Sequence, residues 1–476
     1  MLSGLSSTIR IDDTRPPVFV RPAGGCSRLA GKIRFRLPNR DVPTETGASL
    51  GRSTHSTVAG THRVPGDKSI THRALLLAAL APGASTLHGA LTSEDARSTA
   101  RVLRQLGAAI TPLRSGSPVT VQGHRRFVAP AGRLDCGNSG TTARLLLGLL
   151  AAHRFSAVMT GDRSLRRRPM RRVTEPLVAM GARVTSQDAD GLPLTIRGGR
   201  LHALEWRLPV ASAQVKSALL LAGAAAGVAV SLQEPAPSRD HTERMLRHFG
   251  FEVVSRRGRM QLRPTGEFRP FEISIPGDPS SAMFLLAAAA LAGNGGIKID
   301  GVGLNPSRIG YLAVLRRMGV NVGVSSQAGS LGEPYGALSV AASALRSVSV
   351  EAADVPAVID EIPMLACLAA RATGTSRFSG LAELRVKESD RLALLAKNLA
   401  NIGVAAAVEG DELSVTGTAR PLGGRVVTHG DHRIAMAFAV LATQPGARIR
   451  IDDPDCAGVS FPGFAGALAA LFREAA

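Results

Sequence analysis

The chain repeats one structural unit, and that repetition constrains the fold more than any other feature. Six times a turn rich in Gly, Ser, Asp or Asn runs into a helix of small apolar residues. The first three instances are Pro65-Gly-Asp-Lys-Ser-Ile-Thr-His-Arg73 leading into Ala74 to Leu80, Gly140-Thr-Thr-Ala-Arg-Leu-Leu-Leu, and Gln214-Val-Lys-Ser-Ala-Leu-Leu-Leu. Pro276-Gly-Asp-Pro-Ser-Ser-Ala-Met, Asp360-Glu-Ile-Pro-Met-Leu-Ala and Asp431-His-Arg-Ile-Ala-Met-Ala follow. In the first five units a second helix ends on a shared signature, seen in Leu103-Arg-Gln-Leu-Gly-Ala-Ala-Ile and Leu315-Arg-Arg-Met-Gly-Val-Asn-Val. Its glycine takes the left-handed conformation that stops a helix, and a strand follows at once. Short alternating stretches such as Ser347-Val-Ser-Val and Leu413-Ser-Val-Thr read as strands. Each unit therefore reads as βαβαββ, and the fold class is α/β.

Six such units exceed one core. The fourth turn echoes the first almost letter for letter, which divides the chain into two lobes of three units. The expected lobes are 67–275, and 56–66 plus 276–476, with hinges near 63–67 and 273–278. A chain that crosses twice at matching Pro-Gly-Asp turns makes a two-strand hinge, so lobe closure is expected. Residues 1–55 are rich in Arg, Ser, Pro and Gly without periodicity. They read as a disordered extension or as sequence ahead of the true start.

Composition narrows the function. The chain is 45% hydrophobic with one Trp and two Tyr, so its core is aliphatic. No run approaches the roughly 18 apolar residues of a membrane helix. Cys26, Cys136, Cys367 and Cys456 lie far apart with no metal-ligand spacing. A reduced, cytoplasmic protein with no metal is the expectation. Nucleotide fingerprints are missing, so no cofactor is expected. The net charge of +20 invites a nucleic-acid reading, but arginine is spread along the whole chain and aromatic residues make up only 4%. Sites for small anions explain the charge as well. Lysine is the scarce cation, and Lys68, Lys216 and Lys387 stand where a compact ammonium is wanted.

Four stretches can carry chemistry. Asp67 or Ser69 can cap the first helix, which places Lys68, Ser69 and Arg73 on its first turn, where an anion is favoured; a solvated basic cap fits equally. Six arginines lie within 163–172, most of them a solvated loop, with Arg168 fixed before Pro169 at a helix N-terminus. Asp360 and Glu361 interrupt an apolar run. They either cap a helix or transfer protons, and burial there would raise a carboxyl pKa. Arg385-Val-Lys-Glu-Ser-Asp-Arg391 opens a helix on which Lys387 and Arg391 share a face beside Glu388. A salt-bridge ladder fits; so does an anionic partner, because the helix dipole disfavours cations there. Arg433 repeats the theme.

These segments resemble the 5-enolpyruvylshikimate-3-phosphate synthase family over about 60–465. The resemblance rests on Gly-Asp-Lys-Ser-Ile-Thr-His-Arg-Ala, Asn138-Ser-Gly-Thr-Thr-Ala-Arg, Arg168-Pro-Met, Ser212-Ala-Gln-Val-Lys-Ser, Arg385-Val-Lys-Glu-Ser-Asp-Arg and Gly430-Asp-His-Arg. It implies an inside-out α/β barrel of two lobes, three βαβαββ units each. It also implies transfer of the enolpyruvyl group of phosphoenolpyruvate to the 5-hydroxyl of shikimate 3-phosphate, releasing phosphate. Carried over residue by residue, shikimate 3-phosphate would meet Lys68, Ser69, Arg73, Ser212, Ala213, Gln214, Arg239, Asp360 and Lys387. Phosphoenolpyruvate would meet Lys68, Gly140, Arg168, Gln214, Arg391 and Arg433. Asp360 and Glu388 would move protons, with Lys68 alongside. Gly140 in place of Ala implies sensitivity to glyphosate. Thr71 and Ser460 depart from the usual pattern, and no ligand is assigned at 460. A monomer acting on small molecules, with no nucleic-acid or membrane partner, is the expectation. UDP-N-acetylglucosamine enolpyruvyl transferase is the nearest alternative, but that family's Lys-Asn pair is Lys68-Ser69 here and 154–172 has no Cys.

Overall fold

The computed structural model describes residues 57–186, 190–327 and 329–473; the extension expected at 1–55 lies outside them. Six helices are buried over most of their circumference: Lys68–Leu80, Gly140–Ala151, Ala213–Ala226, Pro279–Leu291, Ile362–Ala369 and His432–Leu441. Their composition explains this. A helix apolar all round must be covered on every side, and every residue from Pro279 to Ala290 is buried. The first three helices pack on one another, as do the last three. Small residues let them approach closely: a Cβ at Gly148 would lie 2.0 Å from the carbonyl oxygen of Ala218 on the neighbouring helix.

Sheets cover these helices, and five of them share one strand order. In the second, Leu134–Asp135 runs parallel to Ser156–Thr160, which pairs antiparallel with Leu194–Arg197, which pairs antiparallel with Arg183–Ser186. The third (Leu204–Arg207 onward) and fifth (Ser349–Val350 onward) repeat it. The first and fourth repeat it with a borrowed strand. Glu272–Ser274 is the parallel partner of Gly83–His88, and Thr57–Val58 and Thr61–His62 are the parallel partners of Asn294–Gly303. The sixth unit keeps the parallel pair Gly423–Val426 and Arg448–Ile451, then runs through the short helix Phe464–Ala469 to Phe472–Arg473, which pairs antiparallel with Thr57–Val58.

The buried apolar side chains form two clusters. One runs from Ile70 to Ile275 and is joined by Leu331; the other holds Val58 and runs from Ala282 to Leu471. The fold is thus a two-lobe α/β architecture with helices inside and sheets outside. The chain passes between the lobes at two Pro-Gly-Asp turns that lie side by side. Asp67 N–H donates to Pro276 O at 2.7 Å and Asp278 N–H donates to Pro65 O at 2.8 Å.

Candidate active site

Four of the six central helices present their N-terminal turns to one cavity of about 290 Å³ between the two cores. Its lining holds nine cationic side chains against four carboxylates, so a polyanion is the ligand it suits. A larger hollow of about 910 Å³ lies at the opposite ends of the first three helices. Its one lining carboxylate, Glu267, is tied to Arg125.

Asp67, not Ser69, caps the first helix, accepting from Ile70 N–H at 2.8 Å. Lys68 and Ser69 line the cavity, with the Lys68 ammonium 2.5 Å from Asp95, a partner the sequence did not announce. Arg73 lines it too, its guanidinium fixed by Thr242 at 2.7 Å, Ser217 at 2.7 Å and the Ser69 carbonyl at 2.9 Å. A basic cap and an anion site are here one arrangement: the capped turn aims the cations.

The second and third helices meet at their starts. Ser212 Oγ accepts from Val215 N–H at 3.4 Å, and Ala213 and Gln214 line the cavity. The Gln214 amide accepts from Arg144 at 2.7 Å and donates to Thr141 at 3.0 Å. Arg144 sits one turn after Gly140, so a charge inside an apolar helix was the signal for it. A Cβ at Gly140 would lie 3.0 Å from Arg144 Nη1 and 3.2 Å from Arg168 Nη1. Glycine therefore keeps a space open beside two guanidinium groups.

Arg168 does not begin a helix. It lies between Arg163–Arg166 and Arg171–Ala179, and Asp190 takes the anion position at the second helix by accepting from the N–H groups of Met170 and Arg171. The Arg168 side chain is buried, donating to Asn138 at 2.6 Å and standing 3.8 Å from Glu388. Arg163, Arg166, Arg167 and Arg171 are exposed, the solvated loop expected. Arg172 crosses the cavity rim to Glu383, donating to both carboxylate oxygens at 2.9 and 3.0 Å.

Asp360 and Glu361 do not cap the helix that follows; its start has no side-chain cap bond. Asp360 faces Arg239 at 2.5 Å, Arg391 at 3.5 Å and Arg433 at 3.6 Å. The expected rise in its pKa is reversed. Burial alone would push the carboxyl up, but Arg433, Arg239, Lys387 and Arg391 hold it well below the usual range. Glu361 is the carboxyl that burial does push up, and it hydrogen-bonds Ser280.

Lys387 and Glu388 do not share a helix face with Arg391. Asp390 caps the helix Arg391–Asn401, accepting from Ala393 N–H at 3.0 Å, so Lys387 and Glu388 lie in the loop before it. Both still line the cavity. Burial pushes the Lys387 ammonium down, against the pull of Asp360. Glu388 is held well below the usual range: Arg391 and Arg168 outweigh its burial. Arg391 is 1% exposed and donates to Asp431 at 2.8 Å, which leaves Nη1 without a hydrogen-bond acceptor. Arg433 lines the cavity, donating to the Asp360 carbonyl at 2.9 Å. Beside it His432, which sequence reasoning passed over, is held neutral chiefly by burial.

Lys216 stands outside this cavity. Its ammonium is buried between Glu234 at 2.9 Å and Glu243 at 2.8 Å, and donates to the Ser238 carbonyl at 3.2 Å, bracing the segment that carries Arg239. Among the described residues no group of three or more His, Cys, Asp or Glu side chains could hold a metal ion, and no helix is long and apolar enough to cross a membrane.

Residues 53–468 match the family described as EPSP synthase (3-phosphoshikimate 1-carboxyvinyltransferase). The 3-phosphoshikimate 1-carboxyvinyltransferases of Alkalilimnicola ehrlichii and Thermus thermophilus are 49% and 47% identical, over 85% of this chain and 91% and 94% of theirs. The structure of an EPSP synthase from Acinetobacter baumannii aligns with a TM-score of 0.77 at 37% identity, covering 88% of this chain and 96% of that one. The enolpyruvyl transferase NikO of Streptomyces tendae shares the fold, with a TM-score of 0.70 at 18% identity. By sequence and by fold, this chain belongs to the EPSP synthase family.

Proposed function

We propose that the chain transfers the enolpyruvyl group of phosphoenolpyruvate to the 5-hydroxyl of shikimate 3-phosphate and releases phosphate. Family membership carries the reaction. The observation that carries the site is a pair of carboxylates, Asp360 and Glu388, both held low by neighbouring cations and lining one cation-rich cavity.

In this reading Lys68, Ser69, Arg73, Ser212, Ala213, Gln214, Arg239 and Lys387 hold shikimate 3-phosphate. Gly140, Arg168, Gln214, Arg391 and Arg433 hold phosphoenolpyruvate, with Lys68 reaching both once it leaves Asp95. Forked guanidinium groups suit a ligand bearing a carboxylate and a phosphate. Asp360 takes the proton of the 5-hydroxyl as that oxygen bonds to C2, and C3 receives a proton from Glu388, giving a tetrahedral ketal. Elimination reverses the proton transfer at C3 and breaks the C2–O bond to phosphate.

Charge neutralisation accounts for how an ionised carboxylate becomes a donor. Glu388 is held low by Arg391 and Arg168. A bound anion that neutralises those cations removes the cause and raises the carboxyl pKa. Protonation of Glu388 is thereby coupled to the arrival of phosphoenolpyruvate. Asp360 is held ionised by Arg433, Arg239, Lys387 and Arg391, and bound anions that engage those cations raise its carboxyl pKa too, which makes it a better acceptor for the 5-hydroxyl proton.

Pairs such as Arg239–Asp360 and Arg172–Glu383 join the two cores across the cavity, which supports reading 63–67 and 273–278 as hinges of a closing site that excludes water. Buried unpaired Cys136 and Cys367 agree with a reduced, cytoplasmic setting. We read the protein as a monomer that acts on small molecules, without nucleic acid or membrane. The test is phosphate release from phosphoenolpyruvate with shikimate 3-phosphate, against the UDP-sugar as control. Release with the UDP-sugar alone overturns the reading.

A further inference from the structure

We infer that Arg308 is a positioning residue that fixes Lys68 in the active site by holding the aspartates of both chain crossings at once; this rests on the enolpyruvyl-transfer reading of that site.

The two crossings are related by an approximate twofold, and each Asp caps the helix that follows it. Asp67 accepts from Ile70 N–H at 2.8 Å and Asp278 accepts from Ser280 N–H at 2.8 Å. Asp278 does more: its second oxygen accepts from the Lys68 N–H at 3.0 Å, capping the first helix from the other lobe. The reciprocal bond cannot form. The residue matching Lys68 is Pro279, which has no N–H to offer Asp67.

Arg308 supplies what Pro279 withholds. Its guanidinium donates to the spare Asp67 oxygen at 2.7 Å, and to Asp278 at 3.1 Å and Ser280 at 3.1 Å. A planar fork can serve two carboxylates in fixed geometry, whereas an ammonium acts as a point charge. The side chain is 2% exposed, Asp67 is fully buried and Asp278 nearly so. Leaving either carboxylate uncompensated there is costly. Arg308 thus joins the Ser280 N–H in holding one Asp278 oxygen, and supplies the charge that keeps the carboxylate turned toward Lys68 N–H. Lys68 is the residue on this turn whose ammonium must reach the substrates.

The experiment measures shikimate 3-phosphate affinity by calorimetry, and phosphate release, for the full chain and for Arg308→Lys, Lys68→Ala and the double variant. Arg308→Lys is expected to weaken binding and lower kcat/KM about tenfold, within the coupling range of neighbouring residues. In the Lys68→Ala background the same change should alter affinity by less than about twofold, because the positioned group is gone. Adding Pro279→Ala to Arg308→Lys should recover part of the affinity by giving Asp67 its missing donor. Thermal midpoints check folding. Asp278→Asn, which keeps an acceptor but loosens the guanidinium, is the second variant and should show the same dependence on Lys68. Equal losses with and without Lys68, or unchanged affinity in Arg308→Lys, overturn the inference alone. A wild-type chain that does not bind shikimate 3-phosphate overturns the reaction reading and the inference with it.

Discussion

Replacing Asp360 by Asn separates the two tasks that its position implies. The change keeps shape but removes both the basic oxygen and one negative charge facing Arg239 at 2.5 Å, Arg391 at 3.5 Å and Arg433 at 3.6 Å. Loss of a positioned general base costs about 10² to 10⁴ in rate. Binding responds differently. At an effective dielectric of about 20, a charge pair 3.5 Å apart is worth about 5 kcal/mol before desolvation. Removing the carboxylate therefore frees three guanidinium groups to attract an anionic substrate, which offsets the lost hydrogen bond of about 1 kcal/mol. Shikimate 3-phosphate affinity should stay within about fivefold while turnover falls at least about a hundredfold. Calorimetry and single-turnover phosphate release measure the two separately. Turnover within tenfold of wild type places the base elsewhere and refutes the reasoning.

The same variant has a stability signature. The folded-state pKa of Asp360 lies below its unfolded value, so its stabilising contribution is present above about pH 4 and is lost as pH falls through the folded pKa. Removing one partner of a buried ion network costs about 3–5 kcal/mol. Here the measured loss should be smaller, because lobes that part can hydrate the freed cations. The gap in Tm between wild type and Asp360→Asn should narrow as pH drops below about 4.

Gly140→Ala puts a Cβ 3.0 Å from Arg144 and 3.2 Å from Arg168, so both must shift by a few tenths of an ångström; glyphosate inhibition should fall while turnover persists, and a dose–response series checks this. The wild type should lose turnover in millimolar glyphosate. Gly148→Ala would set a Cβ 2.0 Å from a backbone oxygen; overpacking of this kind costs about 1–3 kcal/mol or more, readable as a lower denaturant midpoint. Lys216→Met leaves Glu234 and Glu243 buried without their cation, a loss of about 3–5 kcal/mol. Glu243 already has a raised pKa, so the deficit should be smallest below about pH 4.3 and grow as pH rises.

The helices and strands were legible because the pattern is local. Apolar composition around a whole helix and the glycine that ends its partner need no tertiary knowledge. Lys68 and Arg433 at helix starts were legible for the same reason, whereas Arg168 and Lys387 lie ahead of the helices expected to carry them. What surrounds each charge was not. Asp360 looked like an acid in apolar surroundings because its neighbours in sequence are Val358, Ile359 and Ile362, yet the groups that set its pKa come from 239, 387, 391 and 433. Lys216 read as a place where a compact ammonium is wanted, and only the fold reveals the glutamates from 234 and 243 that claim it. The helix expected to hold Lys387 begins later, at Arg391, where Asp390 caps it.

The borrowed strands impose an order on synthesis. The first sheet can close once Glu272–Ser274 leaves the ribosome, soon after the rest of its lobe. Thr61 and His62, made near the beginning, must wait for Lys298 and Ile299 before they find their parallel partners. Such distant pairing is slow and leaves an unpaired edge exposed in the meantime. A fragment spanning 67–275 carries every strand of its own sheets, whereas one beginning at 276 lacks a strand that only the other end of the chain can supply. The two halves of this enzyme are therefore unequal as independent pieces, although they are built from the same unit.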